Sequence, residues 1–189
     1  ENDLFFSAET PMDSSEPTFQ TFADTIHHFE EAHEFVLPEK DTVFFDWIFD
    51  AEKIIGFLFA NQEDIKYYFI NNQSVEYKNI LQNIFGGNRT VVTYQSKLCY
   101  RFLLLSRINI LSKVFDLEIA HYLIQPEINH QLKTLTSGYL NCQIMEFDKK
   151  TVLTQQEMLN LSVERIEIYR QLYPIFSKNL KENNLLALF

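Results

Sequence analysis

Residues 42–70 read TVFFDWIFDAEKIIGFLFANQEDIKYYFI. Three short runs stand out in this stretch, Thr42–Phe49, Lys53–Ala60 and Ile65–Ile70, each aromatic or β-branched and each parted from the next by charged or amide residues. Runs of this kind joined by polar turns predict an antiparallel three-strand meander. Gly56 lies inside the second run, where a residue without a side chain marks a close backbone approach or a bulge.

Downstream the period changes. Ile80, Leu81, Ile84 and Phe85 fall at helical spacing in 75–85, and Gly86-Gly87 ends that helix. A fourth strand is expected over Thr90–Tyr94, a helix over Lys97–Ser106 and a brief strand over Lys113–Phe115. Asp116 is placed to cap a helix over Leu117–Ile124, because its carboxylate can accept the free amide hydrogens of a first turn, and Pro126 stops that helix. Leu132, Leu135, Tyr139 and Leu140 mark another helix. Leu159, Val163, Ile166, Tyr169, Leu172 and Phe176 mark a long amphipathic one ending near Lys178. Upstream, Phe19, Phe22, Ala23, Ile26 and Phe29 also fit one helical face. Residues 1–18 are acidic, contain Pro, Ser and Thr, and show no period. They read as a lead-in or linker to one domain over 19–189.

Composition narrows the function classes. Hydrophobic residues make up 46% of the 189, enough to fill a core. No apolar run approaches the roughly 20 residues that cross a bilayer, so no membrane partner is expected. The chain opens on Glu1 with no basic, apolar leader behind it, which reads as an excised or processed piece of a cytoplasmic protein that is a monomer as a fragment. Two cysteines, Cys99 and Cys142, form no ligand pattern and read as reduced thiols. The net charge of −10 makes an autonomous nucleic-acid binder a poor fit, since that affinity comes from cations neutralising phosphates. Lys97, Arg101, Arg107 and Lys113 do fall close together, as a solvated face or a local basic patch.

Rival motifs are thin. His27, His28 and His33 with Glu30, Glu31 and Glu34 lack the spacing that puts two imidazoles on one helix face. Gly86-Gly87 precedes a strand rather than a helix, unlike a phosphate-cradling loop. His121 reads as core-facing and His130 as a loop residue. The aromatic richness reads mainly as core packing rather than base-stacking platforms.

The most specific stretch is 113–140, KVFDLEIAHYLIQPEINHQLKTLTSGYL. Asp116 opens a helix, Tyr122-Leu123-Ile124-Gln125-Pro126 closes it, and Leu132 to Leu140 leads to a Tyr-Leu pair. Together with IIGFLFANQEDIKYYFI before it and LYPIFSKNLKENNLLALF after it, this order resembles the proofreading 3′–5′ exonuclease domain of family A DNA polymerases, the bacterial DNA polymerase I type, over roughly 19–189. The resemblance implies a ribonuclease-H-like α/β fold, with a mixed sheet, a meander followed by alternating helices and strands, and helices on both faces.

Active members of that family hold two divalent metals on carboxylates, which generate a hydroxide and stabilise the leaving 3′ oxygen. By resemblance, the first motif, Asp-x-Glu, falls on Asp46-Trp47-Ile48. The second, Asn-x-x-x-Asp, falls on Gln95 to Cys99, and the third, Tyr-x-x-x-Asp, on Leu161 to Arg165. Asp46 keeps its carboxylate, whereas Ile48, Cys99 and Arg165 stand where carboxylates are expected, and Gln95 and Leu161 also depart from the pattern. Asp50, Glu164 and Glu167 are the shifted acids that could substitute. Asp50 lies about 13 Å further along the strand, and Glu164 points about 100° from Arg165 on a helix.

The expectation is an inactive exonuclease-like domain. It would need no cofactor (Mg²⁺ or Mn²⁺ only if a residual exonuclease survives), would support the polymerase domain of the same chain, and would meet DNA weakly or indirectly. The alternatives are that residual metal-dependent exonuclease or an unrelated α/β interaction module. Arg165 is the natural partner for a buried Asp46, its guanidinium standing in for the missing cation.

Overall fold

The computed structural model describes residues 26–28, 41–50, 53–62, 66–144 and 152–189. Its elements in chain order are β1 (Ile26–His28), β2 (Thr42–Asp50), β3 (Lys53–Asn61), β4 (Tyr67–Asn71), α1 (Tyr77–Phe85), β5 (Thr90–Thr93), α2 (Ser96–Leu105), β6 (Lys113–Asp116), α3 (Leu117–Ile124), α4 (Leu132–Leu140) and α5 (Gln155–Glu182). The strands form one mixed sheet in the order β1-β4-β3-β2-β5-β6. β2, β3 and β4 are the expected antiparallel meander, while β5 and β6 extend the sheet in parallel from β2.

One element differs from the sequence reading. Residues 26–28, expected at the end of a helix, instead pair in parallel with β4, Ile26 opposite Tyr67. The rest of that expected helix, 19–25 and residue 29, lies outside the described residues. The apolar spacing at 19–29 is too short to separate the two periods, and β4 offers an edge of unpaired backbone groups that a short strand can satisfy.

β2 shows why the sheet lies at the centre. Val43, Phe45 and Trp47 enter one apolar cluster with Phe57, Phe59, the inner face of α1, and Cys99 and Leu103 of α2. Phe44 and Ile48 enter a second cluster with Leu58, α3, α4 and the inner face of α5. Side chains alternate across a strand, so a run apolar at both parities is buried on both sides. Aromatic rings order the first cluster: Phe45 meets Trp47 edge-on at 4.8 Å and Phe85 edge-on at 5.1 Å. Such pairs add about 0.5–1.5 kcal/mol each beyond area burial. His121 is buried in the second cluster, 5.7 Å from the Phe176 ring. Its Nδ1 meets that of His130, in the loop before α4, at 2.7 Å.

Gly56 serves both roles open to it. The pairing register of β2 and β3 shifts between Ile48 and Phe49, opposite Gly56 and Ile54, which is a bulge. A Cβ on Gly56 would also collide with the carbonyl oxygen of Ile70 and lie 2.7 Å from the Phe69 ring. Backbone cannot yield there without breaking the β3–β4 ladder. Gly56→Ala is therefore expected to lower unfolding free energy by about 1–3 kcal/mol in urea melts. An unchanged midpoint would show that the bulge absorbs the methyl group.

Candidate functional site

The site grows from Asp46, mid-strand on β2 and 6% exposed. Its parity turns it towards α5, between Phe44 and Ile48, which share that face. α5 starts on a capping box: Thr154 accepts from the Glu157 amide, while the Glu157 carboxylate accepts from the Thr154 amide at 2.7 Å. The helix runs beneath the sheet, and Ser162, Arg165 and Tyr169, at spacings of three, four and seven, meet the carboxylate together. Ser162 Oγ donates to Asp46 Oδ2 at 2.7 Å and Tyr169 Oη donates to Oδ1 at 3.1 Å. Arg165 Nη1 lies 3.6 Å from Oδ2.

The electrostatics follow from burial. Desolvation pushes the Asp46 carboxyl above the usual carboxylate range, and Arg165, Ser162 and Tyr169 pull it part of the way back. The carboxylate in turn raises the Arg165 guanidinium above its already high value. Tyr169 is driven well above the ordinary phenol value, first by burial and then by the neighbouring Asp46. It is held as a donor.

The other expected positions bring no carboxylate to Asp46. Ile48 is buried in the apolar cluster beside α5. Cys99 sits in the opposite cluster, accepts a hydrogen bond from the Trp47 indole, and has its thiol pushed up to about 12 by burial. A thiol so held is protonated and is no nucleophile at neutral pH. Gln95 is exposed and left-handed, with φ 57°, at the start of α2, and Leu161 is half-buried on α5. Among the shifted acids, Asp50 is exposed at the end of β2. Glu167 accepts from Tyr67 Oη at 2.6 Å and pairs with Arg170 at 3.2 Å.

Asp116 caps α3 as expected, accepting from the Glu118 amide at 2.8 Å. It also accepts from the Ser96 amide at 2.7 Å and so joins α2 to the β6–α3 junction. Sequence reading missed Ser162 and Tyr169. Their signal was the spacing from Arg165 on one helix face, legible only once Asp46 is known to lie against it.

Among the described residues no group of three or more His, Cys, Asp or Glu side chains could hold a metal ion. His27 and His28 lie in β1, but their side chains, like the rest of the 30–34 cluster, fall outside the described residues. Mg²⁺ and Mn²⁺ take hard, anionic oxygen ligands. At Asp46 two hydroxyls and a guanidinium meet one carboxylate, and this donor set does not fit such an ion.

Residues 48–171 match the 3′–5′ exonuclease family. The chain belongs to that family. This removes the alternative of an unrelated α/β interaction module. No curated protein matches the chain. Among solved structures it is similar to Brucella melitensis NrnC with bound Mg²⁺, at 14% identity over 86% of this chain and 83% of that one, with a TM-score of 0.64. It is similar to Escherichia coli RNase D, an exoribonuclease involved in structured RNA processing, at 11% identity over 77% of this chain and 40% of that one, TM-score 0.58. The POL domain of Pol1 from M. smegmatis, in complex with DNA primer-template and dNTP, matches at 17% identity over 83% of this chain and 26% of that one, TM-score 0.53. At these identities the likeness carries the fold, and the ribonuclease-H-like mixed sheet is the architecture this exonuclease-family chain adopts.

The two charged partners at the site are not equivalent, because the Arg165 side chain is 46% exposed and that of Asp46 only 8%. Removing the carboxylate leaves a guanidinium that can turn to water. Removing the guanidinium leaves a buried anion with two hydroxyls. Arg165→Met is expected to cost about 1–3 kcal/mol at pH 7, and Asp46→Asn less than about 1 kcal/mol. Asp46 has a folded pKa above its unfolded one, so its ionisation opposes folding as pH rises past the ordinary carboxylate value. The Arg165→Met deficit should accordingly shrink as pH falls from 7 towards 4. Urea unfolding at both pH values checks this; the reverse order of costs, or additivity in the double variant within about 0.5 kcal/mol, would uncouple the pair.

Proposed function

We propose that this 3′–5′ exonuclease domain is catalytically inactive and belongs to a family A, DNA polymerase I-type chain. There it braces a DNA-synthesising domain in replication or repair. The observation that carries the reading is the Arg165 guanidinium 3.6 Å from Asp46. By the resemblance a metal-binding carboxylate is expected at Arg165, and a fixed cation there repels the ions that the chemistry needs. Cys99, at another expected carboxylate, is committed to Trp47 on the far side of the sheet. The likeness to Pol1 supports the parentage through the fold, and the chain spans about a quarter of that protein's length. In this reading 1–18 is a lead-in, 19–189 is the domain, the working partner is the polymerase domain of the same cytoplasmic chain, and DNA is met weakly or indirectly. No helix among the described residues is long and apolar enough to cross a membrane.

A second reading has its own support. Family membership and the retained Asp46 favour a residual metal-dependent 3′–5′ exonuclease acting on DNA, and NrnC, which shares the fold, holds Mg²⁺. Incubation of 3′-labelled single-stranded DNA with Mg²⁺ or Mn²⁺ at high protein concentration separates the two. The first reading expects no shortening of the strand. Turnover that vanishes in Asp46→Ala would establish the second.

DNA binding gives an independent check. With a net charge of −10, single-stranded DNA is expected to bind no tighter than high micromolar at physiological salt. A submicromolar dissociation constant with a steep salt slope would reveal a cationic track and overturn the bracing role.

A further inference from the structure

The outer face of α2 is unusual for a helix on a protein surface. Leu98 is 49% exposed, Leu104 67% and Leu105 76%, and Leu111, in the segment leading to β6, is 64% exposed. Lys97, Arg101 and Arg107, all exposed, lie among them. Positions 97, 101 and 104, and 98, 101 and 105, repeat at helical spacing, so leucines and cations alternate along one stripe. Soluble proteins rarely leave so many large apolar side chains together in water without a partner.

The end of the helix adds to the case. Arg107 donates its amide to the Leu104 carbonyl at 3.0 Å, and Ile108 donates to Leu103 at 2.9 Å, the paired bonds of a Schellman ending. Arg107 occupies its left-handed position, with φ 59°. Glycine takes that place without strain, and an L residue does not. A cation is kept there against the local backbone preference.

Chemistry selects the occupant. The face carries four exposed leucines and one exposed ring, Tyr100; leucine offers neither a stacking surface nor a hydrogen bond to a nucleic-acid base, and the leucine excess argues for a polypeptide. A second copy related by a two-fold axis would bring the same three cations against their own kind. What fits is an acidic segment bearing large apolar side chains. Residues 1–18 of this chain, ENDLFFSAETPMDSSEPT, carry Glu1, Asp3, Glu9, Asp13 and Glu16, no lysine or arginine, and the triplet Leu4-Phe5-Phe6.

Reach is sufficient. β1 lies at one edge of the sheet and β6 at the other, five strand spacings or roughly 24 Å apart. The 20 residue steps from Phe6 to Ile26 span at most about 70 Å extended, and a random chain of that length averages about 25 Å. Tethering then supplies an effective concentration near millimolar, so weak contacts suffice.

We propose that the leucine–cation face formed by α2 and the lead-in to β6 binds the acidic N-terminal segment, residues 1–18, of the same chain. This contact is independent of the catalytic reading, since no residue in it belongs to the Asp46 site.

The experiment is limited chymotrypsin digestion of the full chain, scoring cleavage at Phe5 and Phe6 in the monomer fraction. Docking predicts slow cleavage at low salt, accelerated several-fold by 0.5 M NaCl. It predicts roughly tenfold faster cleavage in Leu98→Asp/Leu105→Asp, whose exposed positions leave the urea midpoint unchanged. Arg107→Gly separates docking from folding, because it should raise the urea midpoint by relieving the left-handed arginine and still speed cleavage. Carbodiimide cross-linking should join Lys97 to an acidic residue of 1–18 within one molecule. Cleavage indifferent to these substitutions and to salt, or Lys97 cross-links found only between two molecules, would overturn the proposal.

Discussion

A carboxylate buried in the middle of a sheet constrains everything placed against it. Asp46 sits on a strand whose neighbours are Phe, Trp and Ile, and charge there is costly unless it is answered. α5 answers it with Ser162, Arg165 and Tyr169 from a single face, which fixes both the rotation of the helix and its position along the sheet. Sliding α5 by one turn would carry these side chains into one another's places and break the set of contacts as it stands. The same helix buries Leu159, Val163, Ile166, Leu172 and Phe176, so polar and apolar requirements select one placement.

That arrangement explains how an exonuclease-family fold can stand without metal chemistry, as proposed. A divalent cation among carboxylates balances repulsion that would otherwise push the strands and helix apart. Here the guanidinium supplies positive charge from within the chain, and hydroxyl donors occupy carboxylate lone pairs. The substitution is imperfect, since burial still holds Asp46 above the usual carboxylate range. The half-exposed Arg165 explains the remainder: a partner that keeps one side in water is screened and returns less than it would if sealed in.

Most of the scaffold was legible because local chemistry decides it. The meander, the α1 and α2 periods and the long final helix each follow from alternation or helical spacing within a few residues. Asp116 illustrates a reading that was right and incomplete. Its cap on α3 is a local matter of an acceptor before free amides, while its bond to Ser96 joins segments twenty residues apart. The start of α5 is written in the capping box of Thr154 and Glu157, a polar signal that the apolar spacing from Leu159 onward does not carry.

The sequence by itself determined the order of strands and helices from β2 onward and the place of Gly56, and its resemblance to the exonuclease family implied the departure of Ile48, Cys99 and Arg165 from a carboxylate pattern. Tertiary structure alone decided that residues 26–28 pair with β4, that Cys99 turns to Trp47 on the far face, and that Ser162 and Tyr169 share Asp46 with Arg165. The physical reason is range. Periodicity, caps and turns are energies between neighbours along the chain. An unpaired strand edge or a buried charge is instead satisfied by whichever group the packed chain brings within about 3 Å, and those groups lie more than a hundred residues away for Asp46.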